Sequence, residues 1–360
     1  LKVSTHTTFE TLPEGARDLC VSVADDRWFD SLEWFQCLYS TALADAVRLR
    51  IYVVSSASGE ALACLFCCTR KQGVRELSSL SNYYTMEFGP VLRAGVDIHG
   101  VCTALASHIG AERPRWDTVR LDYLKPSNPA TVALVDALAQ AGFSVRRHHQ
   151  YENWYLDSAG TSFDEYFATR PSRLRNTVER KGRKLQKAHD VEFALYKSHT
   201  DDLDRGIGDY ITVYNSSWKR PEPHPLFIPD LAHRLLALGC LRLGVLYLDE
   251  KPVAAQFWIT TRSEACIYKL AYDESYADLS VGAVLSCEMF RHALNVDHAA
   301  RIDYGVGSEA YKREWMSGVQ EIFGARAYSK KTPRGIVLII IEQLRTNVKY
   351  LVSRVRPPAR

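Results

Sequence analysis

Residues 266–315 read CIYKLAYDESYADLSVGAVLSCEMFRHALNVDHAARIDYGVGSEAYKREW, and this order of residue types constrains the fold more than any other stretch. Cys266 to Tyr272 is short, apolar and aromatic, which suits a buried strand. Asp273 to Ser280 is polar. Gly282 then opens a run in which Val284, Leu285, Met289, Ala293 and Leu294 recur near helical spacing. Ala299 to Tyr304 reads as a second short strand. The loop ahead of the helix suits an anion. A helix start presents unpaired N–H groups and a positive dipole end, and a glycine there lets the anion approach the backbone. A pyrophosphate would fit. A glycine near a helix start often only eases a turn, so the order of the flanking elements carries the reading.

A chain of 360 residues suggests two domains of ordinary size. The net charge of +3 is too small to imply nucleic acid by itself, so local clustering of charge decides. Nine cysteines are irregularly spaced. Cys64, Cys67 and Cys68 sit inside the apolar run ALACLFCC, which suits packed thiols. They have no second ligand pair at zinc spacing, so no metal is expected. An odd count without a disulfide framework suggests a reducing compartment. The first residues, LKVSTHTTFE, hold no apolar signal core, and no stretch is apolar for the ~18 residues a spanning helix needs. A cytoplasmic protein is expected, with peripheral contact at the inner membrane as an added option.

The chain echoes itself. Residues 49–66, LRIYVVSSASGEALACLF, and residues 241–257, LRLGVLYLDEKPVAAQF, each read as a strand, a polar turn and a strand. Further on, Arg120-Leu121-Asp122-Tyr123 matches Arg301-Ile302-Asp303-Tyr304. A helix candidate stands between hairpin and echo in both halves, at 96–111 and 282–296. The shared order argues for a duplicated α/β unit. The small, polar stretch Asp157 to Thr161 is the expected linker. It divides the chain into an N-terminal domain 1–158, a C-terminal domain 159–330 and a tail 331–360.

Particular residues narrow this further. They are Leu246 to Gln256 (LYLDEKPVAAQ), Tyr268 to Asp273 (YKLAYD), Ser280-Val281-Gly282, Asp303 to Glu309 (DYGVGSE) and Tyr311-Lys312. In the first half they are Trp34, Asn82-Tyr83-Tyr84 and Phe88-Gly89-Pro90. On these residues the chain resembles the GNAT N-acyltransferase superfamily, in its FemAB-like branch of BioF2-like and CelD-like bacterial acyltransferases. The resemblance covers most of residues 25–330 and is stronger in the second half. One departure is the cofactor loop, where Gly282 stands without a second glycine.

The resemblance implies an α/β fold of the α+β mixed-sheet kind, built as tandem duplicated GNAT-like domains in a FemAB-like architecture. It implies an acyltransferase whose C-terminal domain binds acyl-CoA as co-substrate, with no metal. Leu279, Ser280, Val281, Gly282 and Ala283 would hold the pyrophosphate. The backbone near Lys269, Leu270 and Ala271 would polarise the thioester carbonyl, a role in which preorganised donors are effective. Asp303 or Glu309 would accept the proton of the acceptor amine. Lys312 matches a basic position of FemAB-like enzymes and would stabilise negative charge or bind donor phosphate. Asp303 also suits a structural role as a cap or brace of the loop, and Lys312 that of a solvated helix lysine. Trp34, Asn82, Tyr83, Tyr84 and Arg173 are candidates for acceptor or substrate contact. No nucleophile motif is evident, so direct transfer is expected.

Two basic segments complete the reading. Residues 170–187, RPSRLRNTVERKGRKLQK, form a helix candidate with an apolar stripe of Leu174, Val178 and Leu185. Arg173, Arg180, Lys184 and Lys187 on another face suit an anionic partner. In the tail, the apolar run 335–341 continues through Leu344, Val348, Leu351 and Val352 at helical spacing. Lys330, Lys331, Arg334, Arg345, Lys349, Arg354, Arg356 and Arg360 surround it. This is a basic amphipathic helix that lies on a membrane or packs on protein. The resemblance leaves three functions open. One is acyl-CoA-dependent acylation of an amine on a cell-envelope lipid, including sphingoid types, or on an amino sugar of a polysaccharide. The second is transfer from an aminoacyl-tRNA, the sole nucleic acid in view. The third is a non-catalytic scaffold in envelope biosynthesis.

Overall fold

The computed structural model describes residues 1–70, 74–307 and 309–355, with the side chains of 346–355 outside that description. The chain begins with β1 (Lys2–His6), α1 (Glu14–Ala24) and α2 (Leu32–Leu38). There follow β2 (Val47–Ser55), β3 (Ala61–Arg70), β4 (Glu76–Ser79), β5 (Val91–Leu92), α3 (Ile98–Ala111), β6 (Thr118–Leu124) and α4 (Pro129–Gln140). Next come β7 (Phe143–Asp157), α5 (Phe163–Ala168), α6 (Ser172–Ala188), β8 (Val191–Tyr196), α7 (Leu203–Asn215) and α8 (Phe227–Ala237). The last are β9 (Leu241–Leu248), β10 (Lys251–Thr260), β11 (Glu264–Tyr272), α9 (Val281–Asn295), β12 (Arg301–Val306), α10 (Lys312–Trp315), β13 (Gly318–Ser329) and α11 (Pro333–Val355).

Both expected hairpins are present. β2 pairs with β3 antiparallel, and β9 with β10. The second turn is two residues, Asp249 and Glu250, both at positive φ (51° and 65°), the backbone a tight hairpin requires. Asp249 steadies it by accepting from the backbone N–H of Asp190 at 2.9 Å and from His189 at 2.7 Å.

The chain forms two compact units. Unit 1 holds residues 1–21, 43–150 and 322–360, and unit 2 holds 22–42 and 151–321. These bounds differ from a single division at 157–161. In unit 1 the strand order is β1-β2-β3-β4-β6-β13, and in unit 2 it is β7-β12-β11-β10-β9-β8. β13 pairs antiparallel with β6, and β7 with β12. Each sheet also has one parallel pair among antiparallel ones, β4 with β6 and β11 with β12. This repeated arrangement is the duplicated mixed α/β fold.

In unit 2, α9 lies on the sheet through Leu285, Met289, Phe290 and Ala293, all buried. A Cβ at Gly244 on β9 would stand 2.3 Å from Met289 Sδ, so this glycine lets the helix settle. Phe290 stacks on Tyr166 (5.4 Å between centroids) and on Trp315 (4.9 Å). Trp34 packs in the same unit, edge-on to Phe29 at 4.9 Å and to Phe227 at 6.1 Å. Cys64, Cys67 and Cys68 are buried in β3. Among the described residues no helix is long and apolar enough to cross a membrane. α11 leaves Ile336, Val337, Ile340, Ile341 and Leu344 exposed. The side chains of Val348, Lys349, Leu351, Val352 and Arg354 lie outside the described residues, as do Ser308, Arg356 and Arg360.

Candidate functional site

β11 and β12 pair only over three residues, Glu264 to Cys266 against Arg301 to Asp303. Beyond Cys266 and Asp303 the strands carry on unpaired with each other, to Tyr272 and Val306. On its other side β11 is bulged. Phe257 of β10 faces Lys269 and Trp258 faces Ile267, so Tyr268 is the extra residue. The parting strands open a cavity of about 620 Å³ in unit 2. That is within the usual range for ligand sites.

The loop from β11 to α9 forms one wall. Asp273 begins it and accepts from Ser275 N (2.9 Å), Ser275 Oγ (2.6 Å) and Lys251 Nζ (3.1 Å). Burial pushes the Asp273 carboxyl up, but these donors hold it below the usual range. A 3₁₀ turn, Glu274–Leu279, follows. Ser280 then caps α9 in the left-handed region (φ 56°, ψ 36°), which is uncommon for serine. The first N–H groups of α9, those of Val281 and Gly282, stand at the wall of the cavity lined by Ser280, Val281, Gly282 and Ala283, while Ala283 N donates to the carbonyl of Ser280 at 3.0 Å. A Cβ at Gly282 would lie 3.1 Å from the Tyr272 ring, so the glycine keeps this wall thin. Opposite stand Arg173, Leu174 and Thr177 of α6. Lys181, one turn on from Thr177, donates to the carbonyl of Asp278. The basic helix thus flanks the loop ahead of α9, with Leu174, Val178 and Leu185 buried beneath it.

A buried polar chain crosses the cavity floor. Gln256 accepts from Trp258 Nε1 at 2.8 Å and donates to Ser286 Oγ at 2.7 Å. Ser286 also bonds the Tyr304 hydroxyl, whose ionisation burial pushes far up. Tyr311 meets Tyr304 edge-on at 5.7 Å, and burial together with Glu309 raises its pKa as well. Both tyrosines stay protonated at neutral pH, and their hydroxyls can donate hydrogen bonds.

Asp303 is buried at the point where the strands part. Its Oδ1 accepts from Asn153 Nδ2 at 2.6 Å and from Gly305 N at 2.7 Å. Asn153 is itself braced by Gln320 at 2.8 Å. Glu309 lines the cavity with its side chain 55% exposed. Lys312 is 4% exposed and lies 3.0 Å from Glu309. Its ammonium donates to the carbonyls of Val306 (2.5 Å) and Gly307 (3.3 Å), so it ties the 306–309 loop to α10. Burial lowers its pKa, opposed by Glu309. It is not the solvated helix lysine that sequence alone allows.

The 216–226 segment supplies groups that no motif marks. Trp218 lines the cavity and lies 4.7 Å from the Tyr272 ring. Lys219 Nζ donates to the carbonyl of Leu270 at 2.5 Å. Glu222 pairs with Lys269 at 2.6 Å.

Of the expected donor-binding residues, Leu270, Ala271, Ser280, Val281, Gly282 and Ala283 line the cavity, as does Arg173. Lys269 is turned to Glu222 instead, and Leu279 packs on the core. Trp34 is fully buried and so is corrected from a ligand contact to a core residue of unit 2. Tyr84 is likewise buried. Asn82 caps it, accepting from Tyr84 N at 2.9 Å, and Tyr83 is exposed. Asn82 lines a separate cavity of about 430 Å³ in unit 1. Gln256, Tyr272, Ser286, Tyr304, Tyr311 and Trp315 were all missed as cavity residues. Gln256, Tyr272, Tyr304 and Tyr311 lie within the stretches that carry the family resemblance, which was the available signal for them.

Residues 172–313 match the family model described as an acetyltransferase (GNAT) domain. No curated protein matches the chain. Among solved structures, FemX is similar at 11% identity, with TM-score 0.61 and coverage of 92% of this chain and 98% of that one. The C-terminal domain of a putative lysylphosphatidylglycerol synthetase from Agrobacterium fabrum is 15% identical, with TM-score 0.51 and coverage of 89% and 94%. L-PGS from Bacillus licheniformis is 12% identical, with TM-score 0.52 and coverage of 87% and 96%. At these identities the likeness concerns the fold.

Proposed function

Because the chain is an acyltransferase of the GNAT type with a FemAB-like fold, we propose that it moves an acyl group from a CoA thioester to an amine by direct attack. The observation that carries this is the coincidence of three features in one cavity: the parting of β11 from β12, the open start of α9, and the bulge on β11. In this reading the donor pyrophosphate lies on the N–H groups of Val281 and Gly282, with Arg173 supplying positive charge. The pantetheine runs beside Leu270 and Ala271, and a backbone N–H there polarises the thioester carbonyl. Glu309, exposed in the cavity, accepts the proton of the amine. Asp303 and Lys312 hold the loop that carries Glu309. The proton taken by Glu309 then neutralises the departing thiolate, toward which the Tyr311 hydroxyl can donate a hydrogen bond.

The acceptor in this reading is an amine on a cell-envelope lipid or an amino sugar, reached from the cytoplasmic side. The exposed apolar stripe of α11 beside Arg334 and Arg345 supports contact with an anionic bilayer surface. The test is thiol release from acyl-CoAs of increasing chain length against a panel of sphingoid, aminolipid and amino-sugar acceptors. Amine-dependent release that falls in Glu309→Gln supports the proposal. Absence of release with every pair overturns it. The basic face of α6 beside the same cavity favours a second reading, in which an aminoacyl-tRNA is the donor. Charged tRNA in place of acyl-CoA tests it, and its binding should weaken steeply with salt.

A further inference from the structure

We propose that Lys219 is a self-acylation site, its ε-amine taking the acyl group from the bound donor when no acceptor amine is present. The inference rests on the acyl-CoA reading above. That reading places the thioester beside the backbone of Leu270 and Ala271. Lys219 already seats an amine on that backbone, with its Nζ 2.5 Å from the carbonyl oxygen of Leu270. Its chain neighbour Trp218 and its partner Leu270 both line the donor cavity. The rings of Tyr214 and Trp218, each 5.6 Å from Nζ, hold the side chain in place. Few rotamers then separate this amine from a reactive approach.

Burial first, and then the charge on Lys269, favours the nucleophilic form. Lys269 on β11 and Lys312 after β12 oppose a positive charge on Lys219, while Glu222 in its own segment and Glu309 favour one. Glu222 is already engaged by Lys269. Burial and then Lys269 bring the Lys219 ammonium down to about 8. An ordinary lysine, near 10.4, is neutral on the order of 100-fold less often at pH 8.

The step balances simply. The neutral nitrogen attacks the thioester carbonyl carbon, a C–N bond forms, and the C–S bond breaks. CoA leaves as a thiolate, and the proton shed by nitrogen neutralises it. The products are Nε-acyl-lysine and CoA thiol. The amide is stable, so the acyl group stays in the site.

The test is peptide mapping by mass spectrometry after the full chain is held with acetyl-CoA at pH 8 without an amine, alongside thermal stability under the same conditions. The expected result is acetylation of Lys219 on the order of 100-fold faster than of the exposed Lys184 and Lys187 on α6. Excess free CoA should suppress the label on Lys219 and leave that on α6 unchanged. Lys219→Arg should lose the label. If acetyl-CoA raises the melting temperature and Lys219 is labelled no faster than α6, the inference falls and the donor reading stands. If acetyl-CoA gives no thermal shift and no selective label, both fall.

Discussion

Asn153 donates through Nδ2 to Asp303 Oδ1 at 2.6 Å, and the same oxygen accepts from Gly305 N at 2.7 Å. A buried carboxylate so engaged is a brace. It fixes the turn where β12 leaves β11, and with it the loop that carries Glu309. Asp303→Ala would leave both buried donors without an acceptor, which should destabilise the fold by about 1–3 kcal/mol. Glu309→Gln should leave the midpoint of urea unfolding nearly unchanged and lower turnover by about 10²–10⁴-fold. Comparing unfolding and thiol release in the two variants separates the roles. A stable but inactive Asp303→Ala would make Asp303 the base.

Gly282 and Tyr272 share the cavity wall. Gly282→Val places two more methyls against a ring that a single Cβ already approaches to 3.1 Å. The variant should fold, because α9 is otherwise well anchored by Leu285, Met289 and Phe290. It should bind acyl-CoA at least about tenfold more weakly, roughly 1.4 kcal/mol. Calorimetric titration of both chains checks this.

Arg173 and Lys181 flank the anion loop from α6. Charge reversal at Arg173, which is exposed, should weaken donor binding more at low salt than at high salt. Equal weakening at all ionic strengths would place the effect in packing.

Lys219 gives the fold a signature in pH. Its folded-state value, about 8, lies below that of a lysine in the unfolded chain. Between about pH 8 and about pH 10.4 the unfolded state therefore binds more protons, and this group's contribution to stability rises with pH. Below that window the folded state bears the full cost of the buried charge. In Lys219→Met the rise disappears. Urea unfolding of both chains at about pH 7 and about pH 10 should show the native chain gaining on the variant, and a constant difference would contradict this.

Much of the site was legible because its elements are local. The strand Cys266 to Tyr272, the polar loop and the Gly282 helix are contiguous, and each has its own period. The hairpins at 49–66 and 241–257 announce themselves in the same way. What escaped depends on distant pairing. β13 completes the sheet beside β6, and β7 the sheet beside β12, so no linker composition marks the units. Trp34 reads alike as a cleft aromatic or a core one until Phe227, nearly 200 residues away, is seen against it. The 216–226 segment has no period, and only its fold onto β11 brings Trp218 to the cavity and sets Lys219 and Glu222 against Leu270 and Lys269. Lys312 shows the reverse case. Its position was evident, and its burial and bonds to Val306 and Gly307 were not.

The account turns on the donor, so the most direct measurement is thermal unfolding of the pure chain with acyl-CoAs of increasing length, free CoA and charged tRNA. Binding to the folded state alone raises the melting temperature according to RT ln(1 + [L]/Kd). The account predicts a rise with acyl-CoA that shrinks in Gly282→Val. No rise with any CoA, together with one on charged tRNA, would contradict it and leave the Ser280–Gly282 loop a structural turn.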